Sequence, residues 1–174
     1  MTLKHRTVNA WRIGKFEQLF RKTSLFNWSL ASTTAPKLSH LVPDYWHGSA
    51  SLGSRIMTSS IHWRNDSRGF DQFEWVRDLR AFGGSQARTR ARRLISNWLR
   101  QNDRWTMKGW QPDVMAKRLA NLVFCYDWYG SSADENFQKQ ISKIVRLQAR
   151  CLAIDWKRLR DCDAQVEALC GLII

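Results

Sequence analysis

The sequence predicts a mainly α-helical domain, and three observations support this prediction. Apolar residues recur at intervals of three and four from residue 73 almost to residue 174, which is the spacing of one buried helix face. Residues that end or begin helices separate these stretches, at Gly83-Gly84, Gln111-Pro112 and Gly130. The chain has 174 residues, of which 44% are hydrophobic, and this is enough for one domain with its own core.

The first 72 residues predict one basic helix followed by an irregular connection. The helix runs from Val8 to Lys22, and its apolar residues share one side among lysines and arginines: Val8, Trp11, Phe16, Leu19 and Phe20. Such a helix can lie on an anionic membrane, but docking on its own domain is the more common arrangement. Residues 27–57 mix Ser, Thr, Pro and Gly without a sustained period, which predicts a packed connection with short extended pieces. The division expected is therefore a basic helix and linker over residues 1–40, an irregular packed segment over 41–72, and helices over 73–174.

A helical hairpin is predicted from Phe73 to Arg100. Gly83-Gly84 can end its first helix with a left-handed cap, and Ser85 is an acceptable N-cap for its second. The buried face of the second helix is predicted to consist of Ala87, Ala91, Leu94, Ile95, Trp98 and Leu99. The arginines spread over most of the remaining circumference, at positions 88, 90, 92, 93 and 100. A helix that reads a DNA groove would concentrate them, so their distribution favours a solvated surface.

Two longer helices and a short final one are predicted after this hairpin. The first begins at Gln111-Pro112 and buries Met115, Leu119, Leu122, Val123 and Tyr126. The second begins near Ser132, with Asp134 and Glu135 in its first turn, and buries Phe137, Ile141, Ile144, Val145, Cys151 and Leu152. Gln148 falls within that face, either as a buried amide that ties helices together, which we favour, or as a polar group facing a ligand groove.

The last helix places Val166, Leu169, Cys170 and Ile173 on one face. Nothing in the sequence covers Leu172 and Ile174. We therefore expect either self-association or a further segment that completes a longer protein.

Composition limits the classes of partner. Lys and Arg outnumber Asp and Glu by 28 to 15, and the net charge of +13 predicts attraction to polyanions.

The cysteines at 125, 151, 162 and 170 form no Cys-x-x-Cys pair and have no histidine nearby. We therefore expect free thiols that are buried or partly buried, no metal site and no cofactor. Neither a signal peptide nor a membrane-spanning stretch is recognisable, which predicts a cytoplasmic protein.

The helical part resembles a known family. The stretches "FEWVRDLRAFGGSQARTRARRLISNWL", "WQPDVMAKRLANLVF", "FQKQISKIVRLQARCL" and "AQVEALCGLII" are similar to the N-terminal helices of heparinase II/III family proteins over about residues 43–174. The resemblance implies helical hairpins in an incomplete α/α toroid, in a protein that cleaves acidic polysaccharides by β-elimination. The family's catalytic segments have no counterpart here, so no catalytic residue is carried over, although Tyr45, His47, His62, Tyr126 and Tyr129 would be the groups to examine if activity were found.

Two functional hypotheses follow. The first is an N-terminal fragment or truncated form of a heparinase II/III-like polysaccharide lyase, which binds acidic polysaccharide weakly and is not catalytic alone. By the family resemblance its substrate-binding residues would be Trp75, Trp110, Arg118 and Gln148; the structural alternatives are two core tryptophans and an Arg118 whose charged end reaches solvent. The second hypothesis is a basic helical module that binds nucleic acid, for which the sequence offers only non-specific electrostatic attraction.

Overall fold

Helices account for most of the chain. The computed structural model describes residues 13–31, 46–58, 67–102, 104–159, 165–166 and 168–170. Within these ranges the chain forms α-helices and one 3₁₀ turn but no strand. The predicted mainly α class is therefore confirmed, whereas a toroidal arrangement of the helices and the division into three segments stay predictions.

The helices are numbered in chain order. Four short ones come first: α1 Lys15–Arg21, α2 Ser24–Leu30, α3 Ala50–Thr58 and α4 Ser67–Asp71. The larger part follows with α5 Trp75–Phe82, α6 Gly84–Gln101, α7 Pro112–Phe124, α8 Tyr126–Tyr129 and α9 Glu135–Asp155, which continues into the 3₁₀ turn Trp156–Arg158. Helices α6, α7 and α9 together carry more than half of the buried hydrophobic residues that the structure describes.

The basic N-terminal helix docks through the opposite side from the one predicted. Of the expected apolar face, Val8 and Trp11 lie outside the described residues, while Phe16, Leu19 and Phe20 are exposed. The buried residue of α1 is Arg21, which forms an ion pair with Asp155 of α9. A buried guanidinium needs a charged partner, and α9 supplies one, so this ion pair connects α1 to α9.

Short helices occur within residues 23–72, where the sequence predicts an irregular connection. Thr23 caps α2 by accepting a hydrogen bond from the Phe26 backbone N–H at 3.4 Å, and Phe26 and Leu30 are buried. Helix α3 packs along α5, with Gly53 at the contact. These helices have only five to nine residues, too few to show a clear helical period in the sequence.

Gly53 allows α3 and α5 to approach closely, and this gives a first testable prediction. A Cβ atom at this position would collide with the Asp78 carbonyl oxygen and lie 2.7 Å from the Cβ of Phe82. Gly53→Ala is therefore expected to lower the free energy of unfolding by about 1–3 kcal/mol, measured by urea denaturation. Gly69→Ala in α4 is the matched control, because a Cβ at Gly69 meets nothing within 4 Å. Equal stability of the two variants would contradict the close packing.

The hairpin of α5 and α6 forms as predicted, with one change at its turn. Gly83 ends α5 with a φ of 82°, a conformation that side chains disfavour, and it also precedes the first residue of α6. Helix α6 begins at Gly84, so the predicted N-cap role of Ser85 is wrong. The predicted apolar face is confirmed, since all six of its residues are buried: Ala87, Ala91, Leu94, Ile95, Trp98 and Leu99.

Helices α7 to α9 also bury the residues that the sequence predicts. The first predicted helix is interrupted at Cys125, where α7 ends and α8 begins. Asp134 caps α9 by accepting from the Phe137 backbone N–H at 2.9 Å. Gln148 is completely buried and accepts a hydrogen bond from Arg118 of α7, so the interpretation of a core amide that ties helices together is confirmed.

The C-terminal residues are described only in part. In 165–166 and 168–170, Ala168 is buried while Val166 and Leu169 are exposed; Cys162 and residues 171–174 lie outside the described ranges. Cys125 and Cys151 are buried free thiols, whereas Cys170 is exposed. No helix among the described residues has both the length and the apolar character needed to cross a bilayer. The cytoplasmic location stays a prediction.

Candidate functional site

A basic groove opens where the C-terminal end of α6 meets the loop that leads to α7. It encloses about 650 Å³, a volume typical of ligand sites. We define the basic groove by a lining that includes the cations Lys22, Arg104 and Lys108, the acidic residue Asp71, the amides Gln101 and Asn102, and the buried rings of Trp98 and Trp105. Cations and amides suit an anionic ligand with hydroxyl groups.

The floor of the basic groove is held by Arg118 of α7. Its Nη1 donates to the Asp71 carbonyl at 2.7 Å and its Nη2 to the Gly109 carbonyl at 2.6 Å, and both acceptors belong to groove-lining residues. Its Nε donates to Gln148 Oε1 at 2.8 Å. One buried guanidinium therefore joins the end of α4, the loop before α7, and α9.

Aromatic stacking and neighbouring charges keep Arg118 in place. Its guanidinium carbon lies 4.4 Å from the ring centroid of Trp98, whose Nε1 donates to the Asp71 carboxylate at 2.7 Å. Burial lowers the pKa of Arg118 to about 9, and the nearby Asp71 charge opposes this shift. Arg118 is therefore still a cation at neutral pH, and it adds positive potential beneath the basic groove.

A second buried arginine supports the opposite wall. Arg21 donates to both carboxylate oxygens of Asp155, at 2.5 and 2.7 Å, and its guanidinium carbon lies 5.8 Å from the ring centroid of Trp105. Burial opposes protonation, but the hydrogen bond and charge of Asp155 raise the pKa of Arg21 above its ordinary value. The next residue, Lys22, lines the groove, so the ion pair with α9 fixes one of the groove's cations.

The structure brings two of the predicted substrate-binding residues into direct contact, Arg118 and Gln148. Both are fully buried under the groove, so the prediction that Arg118 reaches solvent is wrong. Trp75 and Trp110 are also buried: Trp75 donates to the Phe70 carbonyl at 3.0 Å, while Trp110 Nε1 has no partner within the described part of the chain. None of the four lines the groove surface, and a role for them in binding substrate stays a prediction.

Several arginines of the hairpin are engaged within the fold. Arg77 donates to Asn121 and Arg80 to the Phe124 carbonyl. Arg92 is not only a solvated residue, because it donates to the Tyr129 carbonyl at 2.6 Å and to the Ser132 hydroxyl at 2.7 Å. Arg93 and Arg100 remain exposed. The arginine-rich stretch therefore stabilises helix contacts as well as carrying surface charge.

The described acid–base candidates do not converge on the basic groove. Tyr129 is buried, and its hydroxyl donates to the Leu122 carbonyl at 2.8 Å. Burial raises the pKa of both Tyr126 and Tyr129. His47 is exposed ahead of α3, while Tyr45 and His62 lie outside the described residues. The catalytic geometry needed for proton transfer is therefore not assembled by the described groups.

The sequence-based selection missed the residues that form the groove surface. The signal that could have found them is the loop "NDRWTMKGW", residues 102–110, in which cations alternate with tryptophans between two strongly periodic helices. Asp103 of this loop lies outside the described residues. Lys22 could not be found in this way, because it comes from a distant part of the chain.

Comparison with known proteins does not assign a function to the basic groove. No protein-family model, curated protein or solved structure matches the chain.

Proposed function

We propose that this chain forms helices of a heparinase II/III-like polysaccharide lyase and binds acidic polysaccharide in the basic groove without cleaving it. The observation that carries the proposal is the combination of Lys22, Arg104 and Lys108 with the amides Gln101 and Asn102 around one cavity. Carboxylate or sulfate groups would pair with the cations, and hydroxyl groups would bond to Gln101 and Asn102. Cleavage would need a positioned acid and base. The proposal without cleavage is supported by Tyr129, which is buried and bonded to the Leu122 carbonyl, and by His47, which is exposed ahead of α3 and does not line the groove.

The proposal includes weak rather than tight binding. Lys22, Arg104 and Lys108 are all exposed, so salt screens their attraction for a ligand.

The proposal also includes self-association through apolar surface. It is supported by Phe16, Leu19 and Phe20, whose side chains remain exposed on α1. Sedimentation velocity is therefore run on every sample, so that binding is compared between species of equal size.

The test of this function is heparin binding by the double variant Arg104→Gln/Lys108→Gln. We expect affinity to fall about tenfold and the slope of log affinity against log salt to fall by about one for each lost cation. Arg93→Gln/Lys139→Gln is the matched control, because it removes the same charge from exposed positions outside the groove. Isothermal titration over a salt series measures both quantities.

Three outcomes would contradict the proposal. If control and groove variants lose affinity equally, attraction to net charge accounts for heparin binding. If duplex DNA depends on Arg104 and Lys108 while heparin does not, the nucleic-acid hypothesis is supported instead. A rise in ultraviolet absorbance from unsaturated uronate ends, with a heparin lyase as positive control, would show that the chain cleaves its ligand.

A further inference from the structure

A second cavity lies on the other side of the α6 C-terminal end. We call it the Trp28 cavity; it encloses about 580 Å³ between α2, α6 and α9. Its floor consists of apolar side chains from α6 and α9, Leu99, Ile144 and Leu147, and its rim carries Arg100, Lys143 and Gln140. Trp28 stands at its edge with 76% of its surface exposed, which is unusual for the largest apolar side chain.

The two cavities meet at a single turn of helix. Arg100 lines the Trp28 cavity and Gln101 lines the basic groove, and consecutive Cα atoms are only about 3.8 Å apart. The α1–α2 corner bridges them in the same way, because Lys22 belongs to the groove and Asn27 to the Trp28 cavity. Thr23 and Ser24, which lie between these two residues in the chain, are exposed.

Charge and shape distinguish the ligand that would suit both cavities. Each offers cations and amides, and the described lining of the Trp28 cavity contains no carboxylate, whereas that of the basic groove includes Asp71. The exposed face of Trp28 can stack on the C–H face of a sugar ring, while Arg100 and Lys143 are available to acidic substituents. A compact anion would use only one cavity, whereas an extended acidic chain would use both.

From this juxtaposition we infer that the Trp28 cavity is a second subsite for the same acidic polysaccharide, which runs from the basic groove across the end of α6. The inference depends on the proposed function and extends it, because it sets a minimum ligand length. Trp28 then acts as a stacking residue for a distal sugar, and Arg100 and Lys143 hold that sugar's acidic groups. Binding should strengthen with chain length until both cavities are filled.

The experiment measures the affinity of heparin oligosaccharides from disaccharide to decasaccharide for the full chain. Trp28→Ala is expected to weaken decasaccharide binding about fivefold to tenfold and to leave disaccharide binding unchanged. Phe16→Ala is the matched control, since Phe16 is an exposed aromatic residue of α1 that lines neither cavity. Circular dichroism melting confirms that both variants are folded.

The outcomes separate this inference from the proposed function. If Trp28→Ala leaves decasaccharide binding unchanged while Arg104→Gln/Lys108→Gln weakens it, the second subsite is refuted and the basic groove stands. Equal losses in Trp28→Ala and Phe16→Ala would also refute it. If the unmodified chain binds no oligosaccharide of any length, both proposals fail together. A length-dependent loss confined to Trp28→Ala supports the subsite.

Discussion

Replacing Asp155 with Ala is expected to lower the free energy of unfolding by about 3–5 kcal/mol. Asp155 and Arg21 have side chains that are 0% and 1% exposed, and the guanidinium donates to both carboxylate oxygens. Removing the carboxylate leaves a buried cation that is still paired with Glu17, a partly exposed residue. Urea denaturation followed by circular dichroism measures the loss.

A second ion pair on the same helix provides the control for Asp155. Glu135 pairs with Lys139 at 2.8 Å, but both side chains are largely exposed, so Glu135→Ala should change stability little. The double variant Arg21→Met/Asp155→Leu should recover much of the loss, because it removes both buried charges together. Equal stability of Asp155→Ala and Glu135→Ala would show that the pair with α1 does not hold the fold.

Arg118→Met is expected to have an effect of similar size, on the order of 3 kcal/mol or more. The substitution keeps most of the side-chain volume but removes three hydrogen bonds, to Gln148 and to the Asp71 and Gly109 carbonyls. Because those carbonyls lie at the groove floor, heparin binding by the folded variant should fall as well. Chemical denaturation and calorimetric titration measure the two effects separately.

Further variants of Arg118 and its partner Gln148 test whether the hydrogen bonds or the positive charge of Arg118 stabilise the fold. Arg118→Lys keeps a cation but cannot make three directed bonds at once, so it should be destabilised too. Arg118→Met/Gln148→Leu should be more stable than Arg118→Met, because it removes the amide left without its donor. The exposed Arg93→Met serves as control, and a loss equal to that of Arg118→Met would contradict the buried network.

The helices with a long apolar period are the part of the fold that the sequence predicts well. Helix α6 has 18 residues and α9 has 21, so each face repeats often enough for the buried positions to be identified. The burial of Gln148 was predicted for the same reason, because its position along α9 places it on the buried face. Helix α1 has only seven residues, and its periodicity pointed to Phe16 and Leu19 when the buried residue is Arg21.

The candidate site was less predictable because its contacts join distant segments. Arg118 finds its partners 30 residues ahead in Gln148 and 47 residues behind in Asp71. Arg21 and Asp155 are separated by 134 residues. A charged side chain is buried only where such partners converge, and periodicity within one helix contains no information about them. The charge of Arg118 therefore predicted an exposed side chain. Its hydrogen bonds to distant residues instead keep that side chain buried.

The corner between α4 and α5 has a strained backbone that is held by packing. Phe73 occupies it with a φ of 63°, which is costly for a bulky residue and is not favoured by the local sequence. Its ring is fully buried, with centroids 5.2 Å from those of Trp75 and Trp98. These contacts compensate for the backbone strain, and Trp98 supplies its share from α6, a distant helix. The conformation of the α4–α5 corner, which contributes Phe70 and Asp71 to the basic groove, is therefore linked to the docking of α6.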